Sequence, residues 1–336
     1  MSKILITGGF GFVGSNIAKK GIQLGHDIII VDNLSRTGSE KNFNDLKKIN
    51  EFEYYIKDTR NYNDISNIIK AKKPDFIFHL AGQVAMTTSI SDPRNDFETN
   101  VLGTINVLES VREYCPSCSI LYSSSNKVYG DLEYLDYLEN DSRYVCKKYP
   151  KGFTENLTLD FHSPYGCSKG AADQYLLDYY RIFGIKTVVF RHSTMYGGMQ
   201  NSNEDQGWIG WFISMAKKTK LDKSHTFTIS GNGKQVRDLL YVDDVTNLYY
   251  KCIDKIDNVK GKAFNIGGGF DQSLSLLELF DLLNKKLNVN LNFTQKNWRQ
   301  SDQKIFISDN VKIKKAIDWE PIVTYNEGID KLINLD

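Results

Sequence analysis

The chain has 336 residues, with 42 basic side chains against 41 acidic ones, and carries 19 Tyr, 18 Phe and 4 Trp. The aromatic content excludes a disordered chain. A formal net charge of +1 excludes nucleic acid or an acidic membrane surface as the main partner.

Five cysteines, an odd number, make no disulfide framework. Cys115 and Cys118 form a lone C-x-x-C without a second pair or a His cluster, so they read as two loop thiols and no metal site is expected. Met1-Ser2-Lys3 leads directly into ILITGG, too short an apolar run for a signal peptide, and no stretch approaches the ~18 apolar residues of a membrane helix. A cytoplasmic protein is expected.

Short β-branched runs alternate with amphipathic segments through the first half. Strands are predicted at Ile4–Thr7, Ile28–Asp32, Phe52–Asp58, Asp75–Gly82 and Ser119–Ser125, with helical spacing at Gly14–Leu24 and Asn100–Tyr114. A helix from Pro164 to Phe183 and a strand from Lys186 to Phe190 continue the series. Near-continuous apolar strands imply burial on both faces, hence a parallel sheet covered by helices: a Rossmann-like, doubly wound α/β fold. After Arg191 the alternation breaks into a smaller α/β substrate region. The expected division is a dinucleotide-binding domain over 1–190 with returns near 236–268, and a ligand-binding region over 191–235 and 269–336.

TGGFGFVG places Gly8, Gly11 and Gly14 between the first strand and the first helix. A turn that lets backbone approach a pyrophosphate has no room for side chains, and the helix N-terminus offers free N–H groups to phosphate. Asp32 ends the second strand, where a carboxylate accepts from the adenosine ribose hydroxyls and disfavours a 2′-phosphate; NAD is therefore expected over NADP, with Arg36 retaining some phosphate affinity. Asp58 is placed for adenine. Phe12, Val13, Asn33, Ser35, Thr59, Leu80, Ala81, Gln83 and Asn100 join these as candidate cofactor contacts, and His192 as a residue near the nicotinamide. His79 reads as a packed core histidine.

Tyr165 and Lys169 are four residues apart and so share a helix face. An ammonium beside a phenol lowers its pKa, which fits the tyrosine to act as a base on a sugar hydroxyl. Ser125, ending the fifth predicted strand, completes a Ser/Tyr/Lys set with Tyr165 and Lys169 as catalytic candidates.

TGGFGFVG, HLAGQ, SSSNKVYGD, YGCSK, GNGKQVRDLLYVDDV and NIGGG together resemble the extended short-chain dehydrogenase/reductase family of nucleotide-sugar enzymes. Longer strings such as LDFHSPYGCSKGAADQY and DQGWIGWF are similar to the branch that epimerises a CDP-linked deoxyhexose at C2. The resemblance implies an isomerase using NAD, a keto-sugar intermediate and a homo-oligomer, dimer or tetramer. It also implies a diphosphate clamp from Arg237 and Arg299, nucleotide ribose binding by Asp302, and sugar contacts from Thr87, Ser125, Gln206 and Trp208. Dehydratases of the family carry an acidic pair after the catalytic hydroxyl; here Asn126 and Lys127 stand there, which disfavours elimination of water and leaves both as substrate contacts. The alternatives are an epimerase acting on another nucleotide sugar at C2 or C4, a net oxidoreductase, or a non-catalytic dinucleotide sensor. Ser125 and Tyr165 lie 40 residues apart, and the intervening polar, tyrosine-rich segment Asp131–His162 reads either as a loop near the sugar pocket or as a surface excursion.

Overall fold

A computed structural model describes residues 1–335. Seven strands form the central sheet: β1 (Lys3–Thr7), β2 (Asp27–Asp32), β3 (Glu53–Ile56), β4 (Phe76–His79), β5 (Ser119–Ser125), β6 (Thr187–His192) and β7 (Lys262–Ile266). All are parallel, in the order β7-β6-β5-β4-β1-β2-β3. Strand alternation sorts their side chains into two cores. Ile4, Ile6, Ile28, Ile30, Phe78, Leu121 and Phe190 face one side, and Leu5, Ile29, Val31, Ile77, Ile120 and Val189 face the other. Covering helices bury both faces, which accounts for strands without a polar face.

The chain leaves β1 toward β2 on one side, and β4 returns on the other. Such a reversal opens a crevice at the carboxyl ends of the strands, which is where this fold takes its ligands. The expected strand at Asp75–Gly82 ends at His79, leaving Leu80–Gly82 as irregular backbone that lines the crevice.

The helix Pro164–Phe183 begins at Ser163, whose Oγ accepts from Gly166 N at 3.0 Å, and has Pro164 in its first turn. Gly184 stops it with φ +71°, a left-handed cap that suits glycine. The helix expected from Asn100 is longer at its start. Pro93–Phe97, a single π turn at Glu98–Leu102, and Gly103–Tyr114 follow one another directly.

In the second half, the helix Val242–Asp254 and strand β7 rejoin the main sheet through Val245, Leu248, Tyr249 and Phe264. The strand Val236–Tyr241 does not join it. It pairs instead with Thr194–Tyr196, Ser273–Ser275 and Ile305–Phe306 in a separate small sheet. A third core, from helices Trp208–Leu221 and Leu276–Leu287 and strands Thr226–Ser230 and Asn292–Lys296, fills the remainder of this lobe.

The Asp131–His162 segment is neither a pocket loop nor a loose excursion. It forms the hairpin Tyr137–Glu139/Tyr144–Cys146 and packs Leu132, Leu135, Tyr144, Phe153 and Leu157 against Val236 and Ile305–Ile307. None of its residues lines the crevice. It braces the small sheet and the adjoining Ser301–Gln303 backbone from behind, with Ser301 Oγ donating to the His162 carbonyl.

Candidate active site

The crevice is one cleft of about 670 Å³ running from the β1 loop to the second lobe. Gly8 (φ +68°) begins its phosphate end. A Cβ there would lie 2.6 Å from Ala81 N, and one on Gly14 would lie 2.3 Å from the Gly8 carbonyl oxygen. The helix Phe12–Gln23 starts at Gly11 with no side-chain cap and no acidic residue in its first turn, so its N–H groups and positive dipole end stay available to an anion. Asp32 is buried beside this loop, accepting from Phe10 N at 2.9 Å and Leu34 N at 2.8 Å. A close backbone cradle, an open helix terminus and a carboxylate at the end of β2 suit the pyrophosphate and ribose of a dinucleotide. Asp58 is held by Arg60 and Asn33, and these partners lower its carboxyl to about 2 against the opposing effect of burial.

Tyr165 lies in the first turn of the Pro164–Phe183 helix and is 9% exposed. Burial pushes its hydroxyl up to about 12, while a hydrogen bond with Ser125 and the nearby Arg36 charge oppose that shift. Ser125 Oγ accepts from Lys127 N at 3.2 Å and donates to Asn126 Oδ1 at 3.3 Å. Lys169 is expected to depress the phenol, but its ammonium is directed at other groups. It donates to the Ser123 carbonyl and sits 4.3 Å from the centre of the Tyr122 ring. Burial lowers Lys169 to about 7, with Asp96 and Asp173 opposing. With the phenol raised by burial and the Lys169 ammonium bonded to Ser123, a positive charge brought close to the hydroxyl would favour its phenolate.

Every candidate cofactor, catalytic or substrate residue named from the sequence lines this cleft except Gln83 and Asn100, which face inward. Gln83 Nε2 donates to Asp96 Oδ1 at 2.7 Å, and Asn100 Nδ2 donates to the Gln83 carbonyl at 3.0 Å and Ser168 Oγ at 2.9 Å. The π turn aims Asn100 into this layer rather than at the crevice. These two residues therefore support the wall instead of forming it. Asp96, fully buried at the centre of the layer, was not evident from the sequence; its position four residues before Asn100 is the available signal.

A second buried brace ties the catalytic helix to β6. Arg191 and Asp173 pair through two contacts, 2.8 and 2.9 Å, and Asp173 also accepts from Ser124 Oγ at 3.0 Å. His79 is a core residue as expected, held between Thr7 Oγ1 (2.7 Å) and Thr104 Oγ1 (3.0 Å). His192 lines the cleft from the end of β6, stacked on Tyr249, and burial lowers it to about 3, so it is neutral.

The polar stretch 198–207 straps the cofactor side to the second lobe. Asn16 Nδ2 donates to the Gly198 carbonyl at 2.9 Å, Asn42 Nδ2 to the Met199 carbonyl at 3.1 Å, and Arg36 to Gln206 Oε1. Arg299 continues the strap by donating to the Glu204 carbonyl at 2.9 Å. Trp208 and Trp211 both line the cleft and pack on the third core. Thr87 lines it too, whereas Ser89 is buried and donates to the Met86 carbonyl at 2.7 Å.

His162 stands three residues before Tyr165, between Asp131 (2.5 Å) and Asp160 (2.9 Å). Its hydrogen bond to Asp131, then the two carboxylate charges, raise its pKa above the usual value near 6.5. A raised basic pKa contributes stability that is complete below the unfolded value and lost as pH rises through the folded one. The melting temperature of the wild type should therefore exceed that of His162→Gln at about pH 6 and converge with it by about pH 8.5. A pH-independent difference would refute the ion pair.

A seven-stranded parallel dinucleotide fold with Ser125, Tyr165 and Lys169 at its crevice defines a nucleotide-dependent enzyme of the Ser/Tyr/Lys type. Residues 4–267 match the NAD dependent epimerase/dehydratase family, and the chain belongs to that family. It is 54% identical over 330 residues to CDP-paratose 2-epimerase of Salmonella typhi, covering 98% of each chain. It is also 32% identical to a putative UDP-glucose 4-epimerase of Methanocaldococcus jannaschii, covering 98% of this chain and 97% of that one. Among solved structures, UDP-glucose 4-epimerase of Thermotoga maritima with UDP-glucose superposes with a TM-score of 0.82 at 28% identity, covering 98% of this chain and 97% of that one. Among the described residues no helix is long and apolar enough to cross a membrane, and no cluster of side chains suits a metal ion.

Proposed function

We propose that the protein converts CDP-paratose to CDP-tyvelose by inverting C2 through a 2-keto sugar. The observation that carries this is the 54% identity over 98% of both chains to a CDP-paratose 2-epimerase, joined to a cleft in which Asn126 and Lys127 follow Ser125 where elimination would need carboxylic acids. In this reading 1–190, with a return over 242–268 rather than 236–268, hold the cofactor, and 191–241 with 269–336 receive the nucleotide sugar.

NAD, when bound along the Gly8–Gly14 loop and Asp32, supplies the hydride acceptor for C2 and its later donor. The chain's own residues manage the proton and the geometry. Tyr165 takes the proton of the C2 hydroxyl and returns it to the oxygen after the ketone has turned its other face. Ser125 donates to that oxygen while it is a carbonyl. Lys169 would hold the nicotinamide ribose and favour the phenolate, as does the helix N-terminus on which Tyr165 sits. Arg237 and Arg299 take the diphosphate, and the 198–207 strap retains the cofactor while the ketone turns. Exposed Phe97, Leu102, Tyr175, Ile182 and Phe183 on neighbouring helices support an oligomer, and five free cysteines support a reducing, cytoplasmic setting.

The test is incubation of the purified protein with CDP-paratose in heavy water. The expected product is CDP-tyvelose without solvent deuterium at C2. Deuterium at C2 would replace hydride return by proton abstraction, and turnover of UDP-glucose with CDP-paratose unchanged would replace the substrate.

A further inference from the structure

Lys127, two residues past Ser125, is nearly enclosed: its side chain is 16% exposed, yet it lines the cleft. Its ammonium lies 3.2 Å from Asp302 Oδ1 and 3.3 Å from the Ser301 carbonyl. The same Asp302 oxygen accepts from Arg237 Nη2 at 2.7 Å and from Gln303 N at 3.0 Å. Two cations thus share a single carboxylate oxygen, and the two cations hold Asp302 ionised despite its burial. Lys127, Arg237 and Asp302 together are one negative charge short of balance, and the next carboxylate, Asp131, is already paired with His162, so the cluster, screened from water, suits an anion.

The geometry of the sugar says which anion. C2 is bonded to the anomeric carbon that carries the diphosphate, whereas C4 lies across the ring from it. Placing C2 at Ser125 and Tyr165 therefore draws the β-phosphate deeper toward these residues than placing C4 there would. Lys127 is the cation on the Ser125 side of the cluster, joined to Ser125 by its own backbone N–H. Arg237 reaches the cluster from the small sheet and Arg299 lies beyond, on the strap side.

We propose that Lys127 is a specificity-determining residue, whose ammonium takes the β-phosphate and so registers C2 rather than C4 at Tyr165. The proposal rests on the CDP-sugar 2-epimerase reading. It gives Asp302 a different duty from ribose binding, that of holding Lys127 and Arg237 in place until the diphosphate arrives. With the β-phosphate fixed, the bonds to the anomeric oxygen become the pivot about which the ketone turns.

The test uses the protein with its own cofactor bound. Calorimetric titration of Lys127→Met with CDP and with CMP should show CDP affinity falling about tenfold or more, with CMP affinity within about twofold of wild type, because CMP lacks the β-phosphate. Lys127→Arg should recover most of the CDP affinity. Unchanged CDP binding in Lys127→Met, or equal weakening of CDP and CMP, would overturn the assignment. For CDP-paratose, the register claim expects kcat to fall about tenfold or more in Lys127→Met. A rise in KM with kcat intact would refute it. Nucleotide binding is read without turnover, so a wild-type protein that leaves CDP-paratose unchanged would refute the proposed reaction while the β-phosphate assignment is judged on its own.

Discussion

Tyr165→Phe should lower kcat for CDP-paratose by about three orders of magnitude, within the range that a positioned acid–base group supplies. Removing the hydroxyl takes away the group that accepts the C2 proton and leaves the fold untouched. The ring stays 9% exposed in the same packing, and Ser125 keeps its contacts with Asn126 and Lys127. Melting temperature and NAD content should therefore match wild type, which separates a chemical loss from a folding one. Burial pushes the phenol up to about 12, so a Tyr-minus-Phe difference absorbance should show phenolate at neutral pH only with oxidised cofactor added. Turnover of the variant within tenfold of wild type would remove Tyr165 from the mechanism.

Gly14→Ala should abolish cofactor retention. The added methyl would sit 2.3 Å from the Gly8 carbonyl oxygen and 2.6 Å from Gly9 Cα, both backbone atoms held by the β1 turn. No flexible side chain is there to yield, so the loop itself must open. Overpacking of this kind costs about 1–3 kcal/mol, and the displaced N–H groups no longer converge on a pyrophosphate. Gly11→Ala provides a graded comparison, since its Cβ meets only the Gly8 oxygen at 3.2 Å. NAD released on denaturation should be near zero for Gly14→Ala and intermediate for Gly11→Ala. Full NAD content in Gly14→Ala, with an unchanged melting temperature, would contradict the close-approach argument.

The parts of this protein that could be read in advance are those whose physics is local. Near-continuous apolar runs such as Ile28–Asp32 must be buried on both faces. The Ser163-Pro164 start and Gly184 stop delimit the helix that carries Tyr165 and Lys169. Three glycines at the junction of β1 with the first helix, followed by Asp32 at the end of β2, point to a phosphate loop. The parts misread depend on what packs against what. Gln83 and Asn100 turn inward because the π turn and buried Asp96 offer them a complete set of partners. The Asp131–His162 segment becomes a brace because Phe153 and Leu157 find Val236 and Ile305–Ile307, more than seventy residues away in the chain.

The balance of 42 basic and 41 acidic residues, the glycine loop, Asp32 and the Ser125/Tyr165/Lys169 set pointed to a near-neutral dinucleotide-dependent protein on a doubly wound sheet, and the second diphosphate came from the family resemblance. Those features are properties of single loops, strands and helix turns. Only the tertiary structure decided that Lys169 rests on Ser123 and Tyr122, that Arg36 reaches Gln206 in the strap, and that Lys127, Arg237 and Asp302 share one charge-deficient cluster. The reason is that burial and charge pairing are set by residues distant in the chain, which no local pattern encodes.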